Sequence, residues 1–232
     1  NYRIPQEFSA ELNTSLLGGS FTIEGLSKNK KIAALVGVRY RNNNLFINSK
    51  DIETNANPNF TDVQAYLNYV INSKLKISFL GNYALNNYKY IPKTRKTKFG
   101  TIDNPTALIV YYEGNEKDKF SSTFGAIKVD YLVNKHLNVS MSNSIYHSIE
   151  EEYYDIFAQY NLGDINNDFA SENFGDVNNI ESIGSQLNHA RNNLDALLFS
   201  SNVNATFKKE NHQIDFGLKF QQEDIRDQIN EW

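Results

Sequence analysis

The stretch VDYLVNKHLNVSMSNSIY, residues 129–146, decides the fold. In its first half, and just upstream, the apolar residues Ile127, Val129, Tyr131 and Val133 fall at odd positions, with the charged Lys128 and Asp130 between them. In its second half Leu137, Val139, Met141 and Ile145 are apolar, while Asn138, Ser140, Ser142 and Ser144 are polar. Period two is the signature of a strand whose two faces meet different surroundings. A turn at 134–136 places Val133 opposite Leu137 and Val129 opposite Met141, so both apolar rows share one side of an antiparallel hairpin.

The pattern recurs along the chain. In TDVQAYLNYVI, residues 61–71, Val63, Ala65, Leu67, Tyr69 and Ile71 face away from Asp62, Gln64 and Asn68. A turn at 72–74 leads into LKISFLGNYAL, where Leu75, Ile77, Phe79, Tyr83 and Leu85 oppose Lys76, Ser78 and Asn82. LLFSSNVNATF sets Leu197, Phe199, Val203, Ala205 and Phe207 against Ser200, Asn202, Asn204 and Thr206. Beyond a turn at 208–211, HQIDFGLKF sets Ile214, Phe216, Leu218 and Phe220 against Gln213, Asp215 and Lys219. Upstream, Ile32, Ala34, Val36, Val38 and Tyr40 align in KIAALVGVRY, which GSFTIEGL reaches through a turn at 27–30, and a first strand lies in FSAELNTSL. Nine strands are expected, over 8–16, 20–26, 31–41, 61–71, 75–89, 119–133, 137–147, 194–207 and 212–222.

Three regularities favour a membrane barrel over a soluble sandwich. Most of these strands run about 10 to 14 residues, against about 5 or 6 in globular sheets and about 9 to 11 for a tilted strand crossing a bilayer. Tight turns at 27–30, 72–74, 134–136 and 208–211 alternate with long polar connections at 42–60, 91–118 and 148–193, the pattern of short periplasmic turns and long exterior loops. The apolar rows hold no Lys, Arg, Asp or Glu although 22% of the chain is charged. A lipid face excludes charge, and the Asn, Ser, Thr and Gln of the opposite face suit a hydrated lumen. Tyr40, Tyr69, Tyr88, Tyr90, Tyr131, Tyr146 and Phe207 sit near strand ends, as in an interfacial girdle or from ordinary β-propensity.

Composition narrows the classes further. A net charge of -4 and a pI near 5.6 give no basic field for nucleic acid. The absence of cysteine excludes disulfides, thiolate metal sites and thiol catalysis. No apolar run approaches the roughly 18 residues of a membrane helix, and mean hydropathy is -0.54, as expected where only alternate side chains meet lipid. The opening NYRIPQEF lacks the basic-then-apolar order of a signal peptide, the expectation for a mature chain or one cut from a longer protein.

Chemistry-bearing residues are sparse in pattern. His136, His147, His189 and His212 show no ligand spacing. Glu150, Glu151, Glu152, Asp155, Asp164 and Asp168 fall in the stretch read as a long exterior loop, but DINND lacks the glycine and distal glutamate of a calcium loop, so a solvated loop is expected. Gly18 and Gly19 fit a tight turn better than a phosphate cradle, because no helix follows. The sequons NVS and NAT fall inside strands. No nucleophile with a base is visible, so no catalytic residue, metal site or cofactor is expected. TALIVYYEG, residues 106–114, is expected to be a hairpin arm above the membrane that pairs with the start of KFSSTFGAIK.

The segments GGSFTIEGL, NPNFTDVQAYLNYVINSKLKISFLGNY, TRKTKFGTID, DKFSSTFGAIKVDY, ENFGDV and LNHARNNLDAL together resemble the early barrel region of TonB-dependent outer-membrane receptors of the Bacteroidetes type. The resemblance implies an all-β fold, an antiparallel transmembrane β-barrel of 22 strands preceded by a plug domain. It also implies nutrient uptake, of a siderophore, cobalamin, glycan or peptide, driven by TonB through the plug. The expected partners are outer-membrane lipid, TonB through a plug this chain lacks, and a surface lipoprotein in one branch of the family; the expected location is the bacterial outer membrane. Residues 1–232 are then a partial barrel, about nine strands of the larger one, since QEDIRDQINEW falls where a long exterior connection belongs. Ligand would meet the loops around Lys93 to Lys98 and Glu150 to Asn193. Two other readings stay open: a soluble secreted β-sandwich that binds glycans, and a small complete barrel of eight or ten strands with a structural or adhesive role.

Overall fold

The computed structural model describes residues 4–44 and 54–232. Among them the elements are β1 (Ser9–Ser15), β2 (Gly18–Leu26), β3 (Ile32–Asn42), β4 (Thr54–Ala56), β5 (Asn59–Val70), β6 (Leu75–Pro92), β7 (Arg95–Gly100), β8 (Pro105–Asn134), β9 (Leu137–Ile165), β10 (Val177–Lys209) and β11 (His212–Gln228). All belong to one antiparallel sheet in the order β1-β2-β3-β5-β6-β8-β9-β10-β11, with β4 beside β6 and β7 beside β8. Each of the nine strands expected from period two overlaps one strand of the main path; β4 and β7 bring the total to eleven. The sheet is not closed, so β1 and β11 are both edges.

Three of the tight turns are built by Asn or Ser side chains that satisfy backbone groups locally, whereas the turn after β10 reverses through Glu210 at φ 52°. At the turn after β8, Asn134 Oδ1 accepts from the amides of His136 (2.9 Å) and Leu137 (3.1 Å). Asn72 Oδ1 accepts from Lys74 (2.8 Å) and Leu75 (3.0 Å) in the same way. Ser27 Oγ accepts from Ile32 at 2.9 Å. The register of the deciding hairpin has Val129 opposite Met141 as expected, but Asn134 pairs with Leu137 and a bulge between Leu132 and Asn134 leaves Val133 unpaired. The extra residue is absorbed where the chain reverses, so the alternation above it is intact.

Strand length departs most from expectation. The stretches 91–118 and 148–193, expected as loops, are largely strand: β8 has 30 residues, β9 29 and β10 33. Their upper halves pair from Phe120↔Glu150 to Thr106↔Asp164 without a break and from Leu194↔Glu150 to Val177↔Ile165 with register shifts between Asn178 and Glu181 and between Ser182 and Gly184. What remains irregular is the β9–β10 connection at 166–176 and the short links around β7. Of the expected loop at 42–60, residues 45–53 lie outside the described residues. TALIVYYEG is not a separate arm pairing with KFSSTFGAIK: both lie on β8, and TALIVYYEG pairs with β9 on one side and β7 on the other. In this stretch Ala107, Ile109 and Val110 are buried.

Burial is inverted relative to a soluble domain. The buried polar set is Glu24, Asp62, Asn68, Ser148 and Asn161, and Asn68 is among the largest fully buried side chains. The apolar rows stay open: Ile127 is 46% exposed, Met141 44%, Phe216 68% and Leu218 79%. One row of partners, Ile32–Tyr69–Ile77–Val129–Met141–Val203–Leu218, runs without a polar member across seven strands. Scattered exposed apolar residues are ordinary, but a continuous sheet of them is not.

Gly18 marks the tightest backbone approach among the first three strands. It opens β2 at φ +141°, and a Cβ there would strike the carbonyl oxygen of Tyr40 on β3. Gly125 in β8 has open space around its missing side chain. Gly18→Ala is therefore expected to lower the urea-unfolding stability by about 1–3 kcal/mol, as strained positive-φ positions do, whereas Gly125→Ala leaves it unchanged or slightly raised; tryptophan fluorescence of the two variants against the parent checks this.

Candidate functional site

Alternation gives the sheet two surfaces of opposite chemistry. On the polar surface, charges are matched across neighbouring strands. Arg39 Nε donates to Asp62 Oδ2 at 2.7 Å, and the guanidinium also lies 4.9 Å from the Phe60 ring centroid. Asp130 takes Lys128 at 2.9 Å and Lys76 at 3.7 Å. Ser78 donates to the buried Asn68 at 3.0 Å. Each pairing follows from register: Arg39 stands opposite Asp62, Lys76 opposite Asp130 and Asn68 opposite Ser78.

Further from the tight turns, past the last apolar row Leu85–Ser121–Ile149, the same surface becomes acidic and aromatic. Asp118 stands opposite Glu152 and Tyr88, and Glu116 opposite Tyr154 and Tyr90. Carboxylate oxygens of Glu116, Asp118 and Glu152 lie within 4.8 Å of one another, the one grouping of potential metal ligands among the described residues. Asn192 Nδ2 donates to Glu152 at 3.2 Å and to Glu231 at 2.8 Å, drawing a fourth carboxylate close. Partial burial raises the pKa of Glu116, and repulsion from Asp118 and the hydrogen bond between the two carboxyls add to it. Burial also raises Asp118, with Glu152 adding to it. The Tyr88 and Tyr154 hydroxyls are pushed up by burial and then by the same carboxylates. Such a cluster can share protons or offer oxygens to a hard cation, with fewer ligands than the six to eight that Ca²⁺ takes.

The outward surface at this height is different. Asp155 is held by Arg191 (2.7 Å) and by His189, and the Arg191 hydrogen bond is the main cause of its lowered pKa. His189 packs against Trp232 with ring centroids 4.1 Å apart, and Arg191 lies over Tyr153. Lys119 reaches Glu151 at 3.3 Å. At the far tip, Lys98 Nζ donates to the Gly175 carbonyl (3.4 Å) and Asn167 Nδ2 to that of Ile102 (3.0 Å), so the β7 link and the 166–176 connection touch. Phe169 and Phe174 stack there at 4.7 Å, both exposed.

The acidic run of the sequence does not form one site. Strand alternation sends Glu150 and Glu152 to the polar surface and Glu151 and Asp155 to the other, where Lys119 and Arg191 neutralise them; Asp164 stands opposite Thr106, twelve residues from Glu152 along β9. Glu116 and Asp118, which complete the carboxylate cluster, carry no signal of their own in the sequence; their register with Glu152 creates the site. The histidines remain apart, His147 with Asp195 (2.8 Å), His189 with Asp155, and His136 with the Lys208 carbonyl (2.9 Å). Of the aromatic residues near strand ends, Tyr40, Tyr69, Tyr131 and Phe207 share the apolar face, but Tyr88, Tyr90 and Tyr146 fall on the polar face, where a girdle has no use for them. No protein-family model matches the chain, and no curated protein matches it.

The raised carboxyl pKa values carry a pH dependence. The folded chain holds these protons more tightly than the unfolded chain, so the stability they contribute is full below the ordinary values of 3.8 and 4.5 and is lost as pH rises through the raised ones. Asp118→Asn is expected to raise the urea-unfolding midpoint at neutral pH and to converge with the parent in acid; midpoints measured from pH 3 to pH 8 read the difference.

Proposed function

We propose that this chain forms part of the wall of an outer-membrane transporter, with lipid against the apolar face and a water-filled passage along the polar one. The carrying observation is the inverted burial: Asp62 and Asn68 are enclosed while Met141, Phe216 and Leu218 stand open. On β9 the outward face from Leu137 to Ile149 is apolar except at Asn143 and at His147, which is hydrogen-bonded to Asp195; it rises about 40 Å along the strand and about 28 Å if tilted by about 45°, close to the lipid-facing band of membrane barrels at about 25 Å. A sandwich needs a second sheet over those rows, and the described residues belong to a single sheet. The open edges favour a larger barrel over a small complete one, because β11 presents a 17-residue unpaired edge on which Ile214, Phe216, Leu218 and Phe220 alternate with polar residues, a feature that monomeric sheets avoid.

Within this reading the sequence resemblance supplies the class: a TonB-dependent receptor that takes up a nutrient, with a plug and TonB acting from the periplasmic side. The tight turns then mark the periplasm, and β8, β9 and β10 carry the sheet well above the membrane. The acidic and tyrosine-rich wall around Glu116, Asp118, Glu152 and Tyr154 is the surface a ligand would pass, and the Phe169–Phe174 tip the first it would meet. Neighbouring residues on one strand test the assignment of faces. Met141→Arg places a charge in the apolar band at a cost of about 2–4 kcal/mol near the midplane, whereas Ser140→Arg places it opposite Asp130 on the polar face. Met141→Arg is expected to abolish urea-resistant membrane assembly and Ser140→Arg to preserve it; equal tolerance of both contradicts the reading.

A further inference from the structure

Lys89 of β6 and Lys117 of β8 stand directly opposite each other on the outward face, and Lys119 lies one row nearer the apolar band, opposite Asn87. Directly opposed side chains have Cβ atoms about 4.5–5.5 Å apart, and like charges so placed repel. Lys119 has Glu151 beside it, but neither Lys89 nor Lys117 has an ion pair among the described residues. The three lysines border an open groove of about 400 Å³ together with Tyr153 and two carboxylates, Glu151, which Lys119 engages, and Asp118, whose side chain belongs to the opposite face of the sheet. Two opposed cations that have no ion pair among the described residues, beside a groove, leave a place for an anion that bridges them.

Their height says which anion. The last apolar row on these strands is Leu85–Ser121–Ile149; Lys119 occupies the next row outward and Lys117 with Lys89 the one after. These rows lie roughly 7 and 13 Å further along the strands, where a lipid leaflet gives way from hydrocarbon to phosphate. Resting on the membrane reading above, we propose that this groove holds the phosphate of a phosphorylated lipid headgroup in the outer leaflet. Lys89 and Lys117 donate to its oxygens, and Lys119, partly neutralised by Glu151, adds field from the membrane side. Tyr153, on the same face, supplies an amphipathic ring at headgroup depth.

The full chain folded in detergent, with diphosphoryl lipid A and its dephosphorylated counterpart as probes in native mass spectrometry, tests this. The expected result is that the diphosphoryl form is retained, the dephosphorylated form is not, and Lys89→Gln/Lys117→Gln reduces retention about tenfold. That double variant removes a repulsion, so its folding is expected to be undiminished. A matched loss of charge at the tip, Lys96→Gln/Lys98→Gln, is expected to leave retention unchanged. Equal retention by parent and Lys89→Gln/Lys117→Gln chains, equal retention of both lipids, or displacement by inorganic phosphate alone would each overturn the assignment. A chain that is monodisperse and folded without detergent defeats the membrane reading itself; one that needs detergent yet fails the lipid arms defeats only this site.

Discussion

One layer of strands is all the protein that lies between the two faces of this sheet. Neighbouring strands are hydrogen-bonded along the whole path from β1 to β11, so the sheet is held laterally, but none of the described residues forms a second layer over the rows of Ile32, Ile77, Val129, Val203 and Leu218. Enclosing a side chain of that size contributes about 1.5–3 kcal/mol, and a soluble fold recovers this from a second layer. Here whatever covers the apolar face must come from outside the described residues, and the rest of the account depends on what that is.

The polar face makes the same point from the other side. A carboxylate enclosed as deeply as Asp62 is tolerated because Arg39 stands one strand away in register, and Asp130 is matched by both Lys76 and Lys128. Unmatched, such a group costs several kcal/mol. Matching fails in two places above the apolar band, on opposite faces: the carboxylates around Asp118 crowd on the polar side, and Lys89 and Lys117 oppose each other on the outward side. Charges on the polar face are matched behind the apolar rows, and like charges meet only further along the strands, beside matched pairs such as Lys119 with Glu151 and Arg191 with Asp155.

The nine principal strands and most of their tight turns were legible because one face is predominantly apolar, interrupted at positions such as Asn143 and His147, and because Ser27, Asn72 and Asn134 accept locally from the turn amides. The hairpin register was legible too, apart from the bulge at Val133, which alternation has no means to reveal. The extensions of β8, β9 and β10 were not legible: around Glu150–Tyr154 and Asn188–Asn193 both faces are polar, so period two disappears although the strands continue. TALIVYYEG was misplaced for the converse reason, its apolar residues forming a continuous run in which Ala107, Ile109 and Val110 are buried on both faces rather than alternating along one. Clusters such as Glu116 with Asp118 and Glu152, or Lys89 with Lys117, join residues tens of positions apart and exist only once register is known.

The chain has no cysteine, which makes single-site labelling direct. The measurement that bears most closely on the account is the accessibility of cysteines placed singly at 137–147 of β9 in lipid vesicles, read with a charged, water-soluble maleimide. Hydrocarbon against the apolar face and water along the other predicts protection at Val139→Cys, Met141→Cys and Ile145→Cys and labelling at Ser140→Cys, Ser142→Cys and Ser144→Cys. Uniform labelling along the strand, or the same alternation from a chain folded in water with no lipid present, would contradict it.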